Sequence, residues 1–349
     1  MVKNIKVFVA MSGGVDSSVT AALLKKQGYE VTGVYMKNWT QDLPGMRCSW
    51  MEDYQDAKRV AVQLGIAFKL YDFETKYRQK VVNYMIQEYQ AGRTPNPDVM
   101  CNQEVKFKLF LETALSDGAN MIATGHYARS RDGQLLTGLD DDKDQSYFLY
   151  RVTSKTLKLL LMPVGDYKKP VIRNLARSFK LSTADKKDSQ GICFVGKVGI
   201  KDFLLYELGE QPHGAIIDQH GINIGEHDGA LFYTIGQRHG LNVGGGLPYY
   251  VTGKNMQRNE IYVTTDIQDD NLWKKEFKLA DLFWINEAPK TSQVYQVRTR
   301  YRAPLVEANV ILKNGTAKIK LNEDIRAITP GQSAVIYEGM SVVGGGIVV

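Results

Sequence analysis

Cysteine is scarce in this chain: Cys48, Cys101 and Cys193 are the only three in 349 residues. Three scattered thiols cannot build a disulfide framework, and in a chain without a secretion signal they read as free, catalytic or ligating. No apolar run approaches the roughly 20 residues needed to cross a bilayer. The N-terminus runs directly into an apolar strand at Ile5, so no signal segment is expected. These absences point to a cytoplasmic chain with no membrane partner. Histidine is sparse too, and His213, His220, His227 and His239 lack metal-ligand spacing, so no protein-held metal is expected. A large excess of one charge is also missing. The net charge of +6 is compatible with a nucleic-acid partner without requiring one. What remains is an ordinary soluble composition, 44% hydrophobic and 23% charged, in a chain long enough for two or three domains.

The most informative stretch is Ser12-Gly13-Gly14-Val15-Asp16-Ser17. Before it runs the β-branched segment Ile5 to Ala10, which suits a buried parallel strand. After it, Val19, Leu23 and Leu24 recur at helical spacing and Gly28 stands where a helix would end. A strand that turns through two glycines into a helix start aims several backbone N–H groups at one point, a preformed phosphate site. The loop has no lysine, which excludes a Walker-type site, and no Gly-x-Gly-x-x-Gly, which excludes the dinucleotide fingerprint. It resembles the Ser-Gly-Gly-x-Asp-Ser loop of PP-loop ATP pyrophosphatases, which cut ATP between its α and β phosphates.

Strand and helix patterns alternate through the first third. Strands are expected at 30–36, 67–73 and 121–124, and helices at 51–64, 74–90 and 101–115. This rhythm predicts a doubly wound parallel sheet with helices on both faces. Ligands collect at the carboxyl ends of such strands, where Ser12, Tyr35-Met36 and Gly125-His126 fall. From about residue 214 the pattern turns Gly-rich. From about Phe277 it becomes short alternating runs with a hairpin signal at Asn314-Gly315. The expected organisation is an α/β nucleotide domain over 1–199, a small β-containing module over 200–275 and an antiparallel β-barrel over 276–349.

Two further segments carry chemistry. In Thr94-Pro95-Asn96-Pro97-Asp98-Val99-Met100-Cys101-Asn102, the prolines hold the backbone extended up to Asp98. Asp98 is expected to cap the next helix, placing Cys101 in its first turn, where the dipole favours a thiolate by roughly 0.3–1 kcal/mol. A packed, inert cysteine is the alternative. In Lys186-Lys187-Asp188-Ser189-Gln190-Gly191-Ile192-Cys193-Phe194, glycines bracket the thiol and two lysines stand ready to attract anions or stabilise a thiolate. Tyr147 and Phe148 read as helix core. Arg298, Arg300 and Arg302 alternate along an expected strand and would share one face with Tyr301 nearby. Cys48 fits no motif.

These segments, together with Ala123-Thr124-Gly125-His126-Tyr127-Ala128-Arg129, Lys143-Asp144-Gln145-Ser146-Tyr147-Phe148-Leu149, Tyr233-Thr234-Ile235-Gly236-Gln237-Arg238 and Thr299-Arg300-Tyr301-Arg302-Ala303-Pro304, resemble the tRNA-specific 2-thiouridylase family of the bacterial MnmA type. The likeness runs in order along nearly the whole chain. It implies ATP-dependent 2-thiolation of the wobble uridine of certain tRNAs. AMP transfer would activate the C2 oxygen, a persulfide on Cys193 would attack C2, and Cys101 would assist sulfur release, with a transient Cys101–Cys193 disulfide. Asp98 would be the acid/base. The resemblance places ATP against Ala10, Met11, Ser12, Gly13, Gly14, Val15, Asp16, Ser17, Met36 and Gly125, with Mg²⁺ accompanying it. Asn96, Pro97 and Asp98 would meet the target base. His126, Lys143, Asp144, Gln145, Arg300, Tyr301 and Gln332 would meet the tRNA. A persulfide donor protein is implied as second partner. A PP-loop synthetase that adenylates a small molecule is the alternative. An iron–sulfur cluster on Asp98, Cys101 and Cys193 is a less favoured addition.

Overall fold

A computed structural model of the chain describes residues 4–43, 48–187, 199–241, 243–244, 246 and 248–349. Strands β1 (Lys6–Ala10), β2 (Glu30–Lys37), β3 (Ala67–Asp72), β4 (Met121–Ala123) and, after a hairpin of β5 (Ala128–Arg131) and β6 (Gln134–Thr137), β7 (Leu160–Leu161) are laid out in the first half. Five of them form a parallel sheet in the order β3-β2-β1-β4-β7. Alternate residues of β1 serve opposite faces, as the strand period requires. Val7 and Val9 pack with α1 (Val15–Lys26), α2 (Trp50–Leu64) and the later helix Lys169–Ser178. Phe8 and Ala10 pack with the helices between residues 74 and 116. The expected doubly wound layers are therefore present.

α1 is buried over most of its length, including Ser17, Ser18 and Thr20. Those hydroxyls are satisfied inside the helix: Ser18 Oγ donates to the Gly14 carbonyl at 2.8 Å and Thr20 Oγ1 to that of Asp16 at 2.9 Å. On the opposite face the helices depart from the expected regular α form. α3 (Glu74–Tyr77) runs through a π segment (Arg78–Val82) into α4 (Asn83–Gln90). α5 (Pro97–Met100) runs through a longer π segment (Cys101–Leu109) into α6 (Phe110–Ser116). Such widened turns are rare and cluster at functional sites. α7 (Ser154–Leu157) and α8 (Lys169–Ser178) complete this half.

α9 (Ile200–Leu208) leads into a small sheet of β8 (Gly214–Ile217), β9 (Asn223–His227), β10 (Tyr250–Asn255) and β11 (Glu260–Thr264), ordered β10-β11-β8-β9. The last part contains β12 (Trp273–Trp284), β13 (Val294–Arg298), β14 (Val306–Lys313), β15 (Thr316–Arg326), β16 (Ser333–Glu338) and β17 (Ser341–Val348). These six antiparallel strands close into a barrel through the β12–β17 pairing. Its interior is filled by alternating residues such as Val306, Ala308 and Val310 facing Ala317, Ile319 and Leu321. The Asn314-Gly315 turn forms as the sequence signals, with both φ angles positive at 48° and 73°.

Two features depart from the sequence reading. The β5–β6 hairpin, which belongs by position to the nucleotide half, adds to the barrel sheet: Leu136 pairs with Ser341 and Leu135 with Val342. The three arginines do not share one strand face. β13 ends at Arg298, and Arg302 lies beyond it with φ of 61°.

Candidate active site

The phosphate loop joins β1 to α1, with Gly14 at the N-cap. Gly13 has a φ of +74°, and a side chain there would run into the Asp53 backbone, so the first turn of α2 packs directly on the loop. The Ser12 amide donates to Ser17 Oγ at 3.2 Å, and Ser17 Oγ donates to the Gly14 carbonyl at 3.2 Å. Ala10, Met11 and Val15 bury their side chains, which leaves their backbone as the part that can meet a nucleotide. The loop and the helix start thus form a fixed set of N–H donors at the positive end of α1.

Asp16 brings in Lys169, which no sequence signal marked, together with Tyr127. Its carboxylate accepts from the Tyr127 hydroxyl at 2.7 Å, and both its oxygens meet Lys169 Nζ, at 2.7 and 2.8 Å. Gln145 fixes Tyr127 in turn, accepting from its amide at 2.9 Å and donating its own amide to the Tyr127 carbonyl at 2.8 Å.

Gly125 closes the crevice from β4. A Cβ on it would stand 2.7 Å from the Ser17 nitrogen and 2.8 Å from the Asp16 carbonyl carbon, so this strand end lies against the phosphate loop. Met36, near the end of β2, is half-buried and opposite Tyr71. His126 Nδ1 is 2.8 Å from Thr124 Oγ1, and its ring lies 5.4 Å from that of Phe107. Burial, helped by the charge of Lys106, holds the imidazole well below the usual histidine range, so it is neutral at pH 7.

The second motif corrects the expected cap. Asn96, not Asp98, caps the helix, accepting from the Val99 amide at 3.4 Å, with Pro97 in the first helical position. The reason is steric: Pro97 already has the φ of a helix, so the helix starts there rather than two residues later. Cys101 therefore lies past the first turn, where the dipole has largely faded. It opens the π segment and is buried, 1% exposed. Burial raises the Asp98 carboxyl above the ordinary aspartate range, and Lys106 draws it partly back. Lys106, about two turns on from Asp98 through the widened helix, thus acts on both Asp98 and His126. The sequence reading gave it no role.

All three parts of the chain meet at Thr94. Its amide donates to the Pro330 carbonyl at 2.9 Å, and its hydroxyl is 3.1 Å from that of Thr234. Gln332 Nε2 donates to the Thr94 carbonyl at 2.9 Å and to that of Pro95 at 3.3 Å. The stretch carrying Asn96, Pro97 and Asp98 is thus held by the barrel and by the middle module.

The other expected RNA-facing residues divide. Asp144 is buried, accepting from the Gly138 and Ser146 amides at 3.0 and 3.1 Å and from Arg298 at 3.4 Å. The Arg300 guanidinium donates to the carbonyls of Ile235 and Ala327 and to Thr329 Oγ1, at 3.0, 2.8 and 2.6 Å. Both side chains join the parts of the chain to one another. Lys143 is half-exposed, and the half-exposed Tyr301 ring packs on Phe148 at 4.5 Å. Tyr147 is fully buried, the core position expected of it. Cys193 and its motif from Asp188 to Phe194 lie outside the described residues. Lys186, just upstream, is bound by Asp53 and Asp56, each at 2.7 Å. A cavity of about 480 Å³ lined by Met121, Ser130, Asp132 and Lys158 holds none of the site residues.

Three family models match the chain in sequence: the tRNA methyl transferase HUP domain over residues 5–197, the tRNA methyl transferase PRC-barrel domain over 201–265 and the aminomethyltransferase β-barrel domain over 274–348. Among curated relatives, the tRNA-specific 2-thiouridylase MnmA 2 of Geobacillus kaustophilus is 46% identical, covering 98% of this chain and 94% of that one. The tRNA-specific 2-thiouridylase MnmA of Bacillus subtilis is 43% identical, covering 99% and 95%. Among solved structures, a 4-thiouridine synthetase–RNA complex with bound ATP is similar at 17% identity and a TM-score of 0.38, covering 58% of this chain and 50% of that one, too distant to add weight. Identity of this order across nearly the full length of both chains, on three consecutive domains, is decisive: the chain belongs to the tRNA-specific 2-thiouridylase family.

Proposed function

We propose that the chain is a tRNA-uridine 2-sulfurtransferase that uses ATP to replace the C2 oxygen of a wobble uridine with sulfur. The observation that carries this reading is the convergence of three elements on one crevice. Gly125 abuts the phosphate loop, His126 follows it, and the His126 ring lies 5.4 Å from that of Phe107 in the segment that Cys101 opens, just after Asp98. An adenylating loop and an acid/base group beside a thiol are what oxygen-for-sulfur exchange needs. The carbonyl to be replaced is amide-like and its oxygen is a poor leaving group, so activation must precede substitution.

In this reading the uridine O2 attacks the α phosphorus of ATP and pyrophosphate leaves across the Ser12–Ser17 loop. Mg²⁺ would accompany ATP and offset its phosphate charge; the loop carboxylate, Asp16, is held by Lys169 and Tyr127. The terminal sulfur of a Cys193 persulfide, loaded by a donor protein, then attacks C2, and AMP departs with the original oxygen. Attack of the Cys101 thiol on the Cys193 sulfur frees the thiouridine and leaves a disulfide for an external thiol to reduce. Asp98, its carboxyl raised by burial, exchanges the proton. Residues 1–199 would carry the chemistry, with 200–275 and 276–349 presenting the anticodon loop, which is single-stranded and open to base capture. No helix among the described residues is long and apolar enough to cross a membrane.

The test is nucleoside analysis by mass spectrometry after incubating protein, unmodified tRNA, ATP and a persulfide source. The expected product is 2-thiouridine, lost when ATP is omitted or in Cys193→Ser. An active preparation that gives none, or full turnover by Cys193→Ser, would overturn the reading. Methyl transfer, the activity in the description of two matched models, would appear in the same assay only when a methyl donor is supplied.

A further inference from the structure

α8 begins with two lysines, Lys168 at the N-cap and Lys169 in the first turn, and has no acidic residue there. Cations at the positive end of a helix are unfavourable. The sequence nonetheless holds Lys169 firmly. Its amide donates to Asp140 Oδ2 at 2.7 Å, its side chain is only 12% exposed, and Nζ lies 5.5 Å from the Tyr127 ring centre. That side chain reaches across to α1 and meets both oxygens of Asp16. Asp16 stands in the first turn of α1, beside the N–H groups that would receive phosphates. An unmatched carboxylate there would repel an incoming polyanion.

We infer that Lys169 is a positioning residue which cancels the charge of Asp16 and so lets the phosphate loop accept a nucleoside triphosphate. The loop contains no lysine of its own, and this one is delivered from a helix 153 residues further along the chain. Its part is to hold Asp16, together with the Tyr127 hydroxyl, as a neutral ion pair. The phosphates are then gripped by backbone amides alone. This rests on the proposed function in one respect, that the loop takes ATP.

The experiment measures dissociation constants for ATP, AMP and adenosine by equilibrium dialysis, using the full chain, Lys169→Met, Lys169→Arg and the double variant Asp16→Asn/Lys169→Met. At an interior dielectric near 20, a bare carboxylate beside the site weakens ATP on the order of tenfold or more. Lys169→Met should lose that much for ATP, less for AMP and under about twofold for uncharged adenosine. Lys169→Arg should retain ATP binding. The double variant should recover most of it, because both charges are gone.

Equal losses for ATP and adenosine would mean that Lys169 only supports the fold, and would overturn the inference. A double variant as weak as Lys169→Met would also overturn it, since Lys169 would then be touching the phosphates itself. Unmodified protein that binds ATP but makes no thiouridine would count against the proposed function and leave this inference standing. Unmodified protein that binds no ATP would end both.

Discussion

Gly125→Ala is the sharpest structural test of the crevice. The added methyl would stand 2.7 Å from the Ser17 nitrogen, 2.8 Å from the Asp16 carbonyl carbon and 3.0 Å from the Ser17 Cα, all backbone atoms of the phosphate loop. None can rotate away, so β4 and α1 must separate by about 0.7 Å to reach an ordinary contact of 3.4 Å. Overpacking of this kind costs about 1–3 kcal/mol. For a domain of this size it lowers Tm by about 2–4 °C per kcal/mol. Displacing a reacting group by the better part of an ångström costs catalysis on the order of a hundredfold. Gly14→Ala is the control, since its nearest neighbour would be Ser12 Oγ at 3.5 Å and its φ is an ordinary −93°. It should change stability by no more than about 0.5 kcal/mol. Thermal melts of both variants, and steady-state 2-thiouridine formation by Gly125→Ala against the parent, decide the matter. A Gly125→Ala protein that melts with the parent and turns over normally would refute the close approach of β4 to the loop.

Asp98→Asn should lower thiolation by about 10²–10⁴-fold, the usual contribution of a general acid/base, and flatten the acid limb of the pH–rate profile. It should also stabilise the fold at pH 7. The folded carboxyl is raised above its unfolded value, so its ionisation opposes folding at every pH above that raised value. A melt at pH 7 that falls rather than rises would count against the burial argument. His126, held below its unfolded value, should remove stability as pH drops from about 6.5 downward. His126→Gln should shrink the difference between melts at pH 7 and pH 5, and an unchanged difference would exclude the buried neutral ring. Arg300→Met should lose all three bonds, which converge on the single guanidinium nitrogen Nη2. A drop in stability of about 2 kcal/mol, read by urea melts, is expected. Stability equal to the parent's would remove Arg300 from the junction.

The legible parts of this molecule were those written locally. The strand, the two glycines and the apolar spacing of Val19, Leu23 and Leu24 are contiguous, and the phosphate loop forms as they indicate. The Asn314-Gly315 turn and the alternation of β14 are equally local. What escaped depends on distance or on competition between nearby preferences. Asp98 lost the cap because Pro97 fixes the helix start two residues earlier than expected. The π segment from Cys101 to Leu109 has no periodic signature distinct from an α-helix. Lys169 reads as an ordinary surface lysine until the fold carries it to Asp16. Arg300 looked like an RNA-facing charge, but it is held by oxygens of Ile235 in the middle module and of Ala327 and Thr329 in the barrel.

The β5–β6 hairpin has a consequence for how this protein can be taken apart. A fragment ending before the barrel would carry the complete nucleotide sheet, yet it would leave β6 with bare amides and carbonyls where Ser341 and Val342 had been. An unpaired strand edge invites aggregation. The nucleotide half should therefore resist expression on its own, the more so because one of its apolar layers runs on into the rest of the chain through Phe203, Val335 and Tyr337. Shuffling of barrels between homologues should succeed only when the last strand and the hairpin are exchanged as a matched pair.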